Sequence, residues 1–249
     1  MVAVFEFYLV LYRRTWRGSA ISSFVLPLLS VLGFGVGVGA YVEGGVEGVP
    51  YLDWLVPGLI ASTALQVAMF ESTWPVLASF NWVRTYEGQA ATPARLDDIL
   101  GGNLLYVVFR ALTGVFAFLV VAAAFGVLHS PWALVTPVIA ALLAFAVAAP
   151  TFAYSASVDS DSFLAILHRF AVIPLSLFSG VFFPVDQMPE LLRWLAYVSP
   201  LWHAVEVTRA ATLGVAPDWS PAGHVLYLGV WAVGGYLLAR ARFRKRLVI

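Results

Sequence analysis

Long apolar runs separated by short polar stretches dominate the chain. A helix needs about 20 mainly apolar residues to cross the roughly 30 Å of hydrocarbon in a bilayer. Six segments meet or approach that length, so the pattern predicts an all-α polytopic membrane protein that forms a single domain over residues 1–249. The predicted transmembrane helices are 20–41, 54–79, 101–125, 132–154, 164–183 and 222–239.

Positive charges predict the orientation of these spans. An even number of spans places both termini on one side of the membrane, and arginine and lysine accumulate on the cytoplasmic side. The side opposite the termini holds only Arg193 and Arg209. We therefore expect a multi-pass protein of the cytoplasmic (inner) membrane with both termini in the cytoplasm. The charges on the terminal side are Arg13, Arg14, Arg17, Arg84, Arg95, Arg240, Arg242, Arg244, Lys245 and Arg246.

Two segments outside the spans also have an apolar pattern. Residues 1–18 place aromatic and aliphatic side chains from Phe5 to Trp16 at helical spacing beside an arginine cluster. This favours an interfacial helix, although the same residues could extend the first span through the headgroup region. Residues 184–220 are broken by prolines yet remain apolar, which predicts a re-entrant helical hairpin between spans 5 and 6.

Composition and charge exclude several classes of function. A chain that is 61% hydrophobic and 11% charged is not a water-soluble fold. The formal net charge is zero, so no basic face predicts binding to nucleic acid. The chain has no cysteine, and its single lysine, Lys245, lies in the terminal tail, so no GxxxxGK[ST] motif can hold ATP. We expect no cofactor to be bound by this chain.

Ionisable residues inside spans are the first candidates for function, because charge is expensive in hydrocarbon. Glu71 lies in the second span and Arg110 in the third, where adjacent antiparallel helices would let them form an intramembrane ion pair. His203, Glu206 and Arg209 follow at intervals of three and share one helical face. Too few ligands accompany them for zinc, so we interpret them as a structural cluster, with no catalytic residue and no metal site.

Residues 80–98 form the one sizeable cytoplasmic loop. Thr92 and Pro93 are suited to the N-cap and first turn of a short helix that continues through Arg95. On charge alone, a docking surface and a solvated connector are equally good interpretations of this loop.

Two late motifs resemble the signature of ABC-2 type transporter permeases, in their nodulation and drug-export branch. They are Phe178-Ser-Gly-Val-Phe-Phe-Pro-Val-Asp-Gln-Met-Pro and Ser199-Pro-Leu-Trp-His-Ala-Val-Glu-Val-Thr-Arg209. The resemblance extends over the chain through Tyr51-Leu-Asp-Trp-Leu-Val-Pro-Gly-Leu, Glu71-Ser-Thr-Trp and Thr85-Tyr-Glu-Gly-Gln-Ala-Ala-Thr-Pro93. Trp202 stands where many relatives have threonine or a small residue, which suggests a narrower outer gate.

The resemblance implies the membrane subunit of an ATP-binding cassette exporter, paired with a second copy as a homodimer in membrane lipid. A separate ATPase subunit would bind ATP and Mg and drive transport. Loop 80–98 resembles the coupling segment that docks on that ATPase, with contacts at Tyr86, Glu87, Gln89, Thr92, Pro93 and Arg95. The implied path residues, along spans 2 and 5, are Gln66, Phe70, Glu71, Phe178, Phe182 and Phe183. The implied outer gate is held by His203, Glu206 and Arg209.

We expect an amphipathic, drug-like or lipid-linked substrate to cross the cytoplasmic membrane through this subunit. Two alternatives use the same residues differently. An ion-gradient-driven secondary transporter would need Glu71 to change its protonation. An integral membrane lipid-modifying enzyme would use His203 and Glu206 as acid and base.

Overall fold

The computed structural model describes residues 1–42 and 44–247, with side chains throughout these ranges except at residues 19–23. Within them the regular structure is helical, apart from an isolated bridge between Val46 and Val49. The α-helices are α1 Val2–Ser30, α2 Tyr51–Ser72, α3 Trp74–Asn81, α4 Thr85–Ala90, α5 Leu96–Ala124, α6 Thr136–Ser155, α7 Asp161–Leu167, α8 Ile173–Phe178, α9 Glu190–Val198, α10 Pro200–Leu213 and α11 Pro221–Leu247. Two π-helical stretches, Val31–Val38 and His168–Val172, extend α1 and join α7 to α8.

Six helical segments in the described residues are long and apolar enough to cross a membrane. Each overlaps one of the six predicted spans, so the predicted all-α membrane fold is confirmed. The second span contains a break at Thr73 between α2 and α3, and the fifth consists of α7, the π-helical turn and α8. The segments are Phe24–Tyr41, Tyr51–Asn81, Leu96–Ala124, Pro131–Ser155, Asp161–Phe178 and Pro221–Leu247.

Polar contacts identify the two ends of the bundle. At one end the amino group of Met1 lies 2.6 Å from Asp98 Oδ1 at the start of α5. Arg246 Nη1, near the end of α11, donates to the carbonyl of Val158 at 3.0 Å. Both ends of the described chain therefore lie with the loops before α5 and after α6, and we call this the terminal end.

The opposite end, which we call the far end, is joined by different contacts. His129 follows α5, and its Nε2 lies 2.9 Å from Asp53 Oδ2 in the first turn of α2. The backbone N–H of His129 donates to the carbonyl of Thr212 in α10 at 3.0 Å. The start of α2, the loop after α5 and the hairpin helix α10 are thus neighbours.

Helices α2, α5, α6 and α11 surround the core, and spans 1 and 5 lie at its edge. Helices α6 and α11 approach closely at Gly235, which has no Cβ. A Cβ at this position would lie only 2.7 Å from the Pro150 backbone nitrogen. Only 17% of Phe24–Tyr41 and 11% of Asp161–Phe178 is buried within one chain. These two spans therefore leave most of their apolar surface to lipid or to another protein.

The N-terminal segment differs from the predicted division between an interfacial helix at 1–18 and a span from 20. Residues 2–30 form one uninterrupted α-helix, with no break near 18–20. The aromatic stripe packs on α5, because the Phe5 and Phe109 ring centroids lie 6.2 Å apart and Tyr8 stacks on Tyr106 at 5.2 Å. Part of the stripe thus packs on α5, whereas Trp16 is exposed, and the position of this segment at the membrane surface stays a prediction.

The helix in loop 80–98 lies earlier than predicted. Helix α4 ends at Ala90, and Thr92 forms a turn instead of an N-cap, with its hydroxyl donating to the Gln89 carbonyl at 2.7 Å. Helix α5 begins only after Arg95, whose backbone N–H donates to the Asp98 carboxylate at 3.1 Å. The Asp98 cap and the apolar run that follows it therefore decide where the helix begins.

Two short helices, α9 and α10, occupy the segment between spans 5 and 6, as the proline pattern predicts. Helix α10 is largely buried against α2, α6 and α11 at the far end. Helix α9 instead exposes Leu191 and Trp194. The depth to which this hairpin enters the membrane stays a prediction.

Candidate functional site

A cleft with a volume of about 570 Å³ lies between spans 1, 2, 3 and 5. Its walls are mostly apolar, and a few polar side chains converge on it, which is the usual character of a small-molecule site. The apolar lining includes Leu26, Phe34, Leu59, Phe118, Leu177 and Phe182, and the polar lining includes Ser62, Gln66, Glu71, Arg110, His168 and Ser176.

Glu71 and Arg110 form an ion pair in this cleft. Arg110 Nε lies 3.1 Å from Glu71 Oε1, and both side chains are about 15% exposed. The Arg110 guanidinium also donates to Thr113 at 3.3 Å and lies 4.8 Å from the Tyr12 ring centroid. Each charge is therefore neutralised by a partner, as an environment poor in water requires.

The helix of the second span is interrupted near this pair, because α2 cannot continue into α3. Pro75 has no N–H to donate to the carbonyl of Glu71, four residues earlier. The Thr73 hydroxyl instead donates to the carbonyls of Met69 and Phe70, at 2.8 and 3.0 Å. The helix break at Thr73 thus lies two residues after Glu71, which carries the charge.

The structure brings together four of the predicted path residues: Gln66, Phe70, Glu71 and Phe182 line the cleft. Phe178 and Phe183 lie outside its lining and contact each other, with ring centroids 6.5 Å apart. His168 was not among the predicted path residues although it also lines the cleft. Its position in the fifth span was a usable signal, because ionisable residues within spans are candidates by default.

Loop 80–98 separates its predicted contact residues into buried and exposed groups. Tyr86 is fully buried, with its ring 4.6 Å from Phe80 and 5.1 Å from Phe243, so it anchors α4 and cannot be a surface contact. Burial raises the pKa of Tyr86 well above its ordinary value. Gln89 is half-buried. The exposed members are Glu87, Thr92, Pro93 and Arg95.

Two exposed apolar residues in this loop were missed at the sequence level. Trp82 is 66% exposed and Val83 is 70% exposed. Arg84, which follows them, has a positive φ of 55°, and this left-handed turn separates them from α4. The sequence placed both residues in loop 80–98 without assigning them a role, and their exposure became visible only in the folded loop.

At the far end, Arg209 ties three segments together. It pairs with Glu206 at 3.0 Å, donates to the Gly180 carbonyl at 2.8 Å and lies 4.0 Å from the Trp54 ring centroid. Burial raises the pKa of Glu206, and the charge of Arg209 opposes that shift. This network joins α10, α2 and the turn after α8.

His203 does not join this network, so the predicted three-residue cluster divides in two. His203 Nε2 donates to the Tyr197 carbonyl at 3.0 Å, and its Nδ1 lies 2.9 Å from His224 Nδ1. With both rings neutral, His203 Nδ1 must accept a hydrogen bond from His224 Nδ1–H. Burial lowers the pKa of His203, which favours this neutral pair.

Trp202 is buried beside these networks. It is 1% exposed, and its ring lies 4.9 Å from Trp219 and 4.8 Å from Tyr197. Its indole also borders a smaller far-end cavity of about 180 Å³, together with Glu206 and Arg209. The residue that departs from the family pattern thus belongs to the packed core of the hairpin.

Comparison with known proteins assigns the chain to a family. Residues 2–213 match the family model described as ABC-2 type transporter. The chain belongs to the ABC-2 type transporter family. The predicted resemblance is therefore confirmed, and the chain is an ABC exporter membrane subunit, which we call the permease.

Similar proteins cover nearly the whole permease. Nodulation protein J of Sinorhizobium fredii is 31% identical over 248 residues, which cover 97% of the permease and 94% of that protein. Nodulation protein J of Rhizobium leguminosarum bv. trifolii is 30% identical, with the same two coverages. The protein of that name in Bradyrhizobium diazoefficiens is 30% identical over 95% of the permease and 90% of its own length.

Family membership indicates what kind of subunit the chain is and what kind of partner it has. An ABC-2 permease is a transport subunit rather than a catalyst, and the family implies an ATP-binding subunit as partner. The chain is a multi-pass membrane protein, in agreement with its six apolar helical segments.

Proposed function

We propose that the permease exports an amphipathic, drug-like or lipid-linked substrate across the cytoplasmic membrane. In this proposal the terminal end faces the cytoplasm, where a separate ATPase subunit binds ATP and Mg and supplies the energy. The observation that carries the proposal is the cleft of about 570 Å³ with apolar walls and a buried ion pair. Such a lining suits a molecule that has one apolar and one polar part.

A second copy of the permease would complete the transport path. The two least buried spans, Phe24–Tyr41 and Asp161–Phe178, both border the cleft. In lipid, helices associate through close packing of such surfaces rather than through exclusion of water. A homodimer that joins these spans would cover the open side of the cleft and enclose a substrate between two copies.

The ATPase would dock on the exposed part of loop 80–98. Glu87 is exposed and pairs loosely with Arg84 at 3.7 Å, and Trp82, two residues before Arg84 in the sequence, is exposed as well. Tryptophan and charged neighbours often dominate the energy of protein interfaces. Tyr86 anchors α4 to Phe80 of the second span and Phe243 of the sixth. A partner that moves this surface would therefore move the transmembrane helices as well.

Neither alternative function has a supporting observation of equal weight. An ion-driven carrier needs a carboxylate free to change its protonation, whereas Glu71 accepts a hydrogen bond from Arg110. A lipid-modifying enzyme needs His203 and Glu206 to act together, but they belong to separate networks. Export driven by an ATPase requires neither arrangement.

The test is copurification of the tagged permease with the ATP-binding subunit encoded beside it, followed by ATP hydrolysis in lipid. We expect an assembly of two permeases and two ATPases. Glu87→Arg should lower permease-stimulated hydrolysis by about tenfold or more, since reversed rim charges repel a complementary partner. Glu190→Arg makes the same charge change on an exposed residue of α9 at the far end and should have no effect.

Two outcomes would contradict the proposal. Transport by the permease alone, without ATP, would indicate an autonomous carrier. Normal stimulation of hydrolysis by the Glu87→Arg variant would remove loop 80–98 as the docking surface.

A further inference from the structure

Three polar side chains from three helices meet beneath α4. Asn103 of α5 donates through Nδ2 to the Tyr86 hydroxyl of α4 at 2.6 Å. The same amide nitrogen donates to the Tyr8 hydroxyl of α1 at 2.9 Å. A primary amide carries two N–H donors, so Asn103 can serve both hydroxyls at once. One amide therefore joins the loop helix to the first and third spans.

This junction is shielded from water, which makes its hydrogen bonds costly to break. Tyr86 is 0% exposed and Asn103 is 5% exposed. Water cannot readily replace a lost partner at such a site. The Tyr86 ring is also held between Phe80 and Phe243. Helix α4 therefore cannot shift without carrying its tyrosine, and the hydroxyl then displaces Asn103 and Tyr8.

Helices α1 and α5 extend from this junction to the cleft. Tyr12 lies one helical turn beyond Tyr8 and faces the same side of α1. Its ring centroid lies 4.8 Å from the Arg110 guanidinium carbon, and Arg110 lies two turns beyond Asn103 on α5. Arg110 Nε then bonds Glu71 in the cleft at 3.1 Å. These contacts, together with the turn of α1 between Tyr8 and Tyr12, connect α4 to the charged lining of the cleft.

We propose that Tyr8 and Tyr12, acting through Asn103 and Arg110, couple the position of α4 to the Glu71–Arg110 pair. They are positioning residues, because neither lines the cleft, and Tyr12 reaches it only through its contact with Arg110. The inference rests on the proposed function, since it takes α4 as part of the surface that binds the ATPase. When nucleotide binding moves α4, the first turns of α1 move with it and reposition Arg110 in the cleft.

The absence of cysteine from the chain makes a clean reporter possible. Ser176 lines the cleft, so Ser176→Cys labelled with bimane reports on the cleft environment. The measurement compares bimane emission of the permease–ATPase complex in lipid without nucleotide and with trapped ATP. We expect ATP to change the emission when all other residues are unaltered. Tyr86→Phe keeps the buried ring but removes the hydroxyl, and should reduce the ATP-dependent equilibrium shift by about tenfold.

Two further variants separate coupling from folding. The triple variant Tyr8→Phe, Asn103→Leu, Tyr86→Phe removes the Asn103 amide together with both hydroxyls that it serves, so none of these three groups is left without its partner and we expect the fold to be kept. It should still bind the ATPase and should lose the emission change. Tyr236→Phe removes another tyrosine hydrogen bond at the terminal end, to Asp97 Oδ1 at 3.0 Å, and should respond like the unaltered protein.

The outcomes distinguish this inference from the function on which it rests. If no ATPase complex forms even without substitutions, the proposed function fails, and the inference fails with it. A complex that forms but shows no ATP-dependent emission, or a triple variant with an undiminished response, overturns the coupling route alone.

Discussion

The Glu71–Arg110 pair allows a quantitative test of how the membrane interior is stabilised. Arg110→Met removes the positive charge and leaves Glu71 without its partner in a cleft where it is about 15% exposed. At 3.1 Å the attraction is on the order of 5 kcal/mol for an effective dielectric constant of 20. Removing one partner of a buried pair typically destabilises by about 3 to 5 kcal/mol.

The assay is thermal unfolding of the complete permease in detergent, followed by tryptophan fluorescence. For a chain of this length each kcal/mol corresponds to about 2 to 4 °C, so Arg110→Met should lower Tm by roughly 6 to 20 °C. The double variant Glu71→Gln, Arg110→Met contains no unpaired charge. It should recover most of that loss, because replacing both members of a buried pair is often nearly neutral.

The comparison between the single and double variants decides the matter. If Glu71→Gln, Arg110→Met is no more stable than Arg110→Met, the loss arises from packing, including the Tyr12 contact, and the charge argument is wrong. Tyr12→Leu measures that contribution separately and should cost only about 0.5 to 2 kcal/mol.

Three further predictions concern other parts of the fold. Gly235→Ala should lower stability by about 1 to 3 kcal/mol in the same thermal assay, because its methyl group meets Pro150. Arg209→Lys should cost about 2 to 4 kcal/mol, since an ammonium cannot reach both Glu206 and the Gly180 carbonyl as the guanidinium does. Burial lowers the pKa of His203, so the folded state binds fewer protons. Stability should therefore be full above about pH 6.5 and fall below it, and His203→Gln should reduce that dependence in a pH series of Tm.

The proposed docking surface illustrates how far residue patterns can be interpreted. The family resemblance predicted loop 80–98 to be a coupling segment, yet its adjacent residues Tyr86 and Glu87 have opposite surroundings, buried and exposed. The Tyr86 ring lies between Phe80 and Phe243, the second of which is distant in sequence, and the Glu87 side chain is exposed. The spacing of residues within the six-residue helix α4 cannot predict which of its faces α11 will cover.

The sequence by itself determined the class of the molecule and the positions of its spans. Hydrophobic length is a local property set by the thickness of the bilayer, so it could be measured residue by residue. The pairing of Glu71 with Arg110 was also predictable. Adjacent antiparallel spans have a simple register, and an unpaired charge in hydrocarbon is costly.

Only the tertiary structure decided which polar residues act together. His203 and Glu206 share a short helix, but His203 contacts His224 of span 6 whereas Glu206 pairs with Arg209. Likewise, Phe5 and Tyr8 of the aromatic stripe pack on Phe109 and Tyr106 of α5. These choices depend on packing between segments far apart in sequence, where side-chain direction and close approach, rather than local periodicity, select the partner.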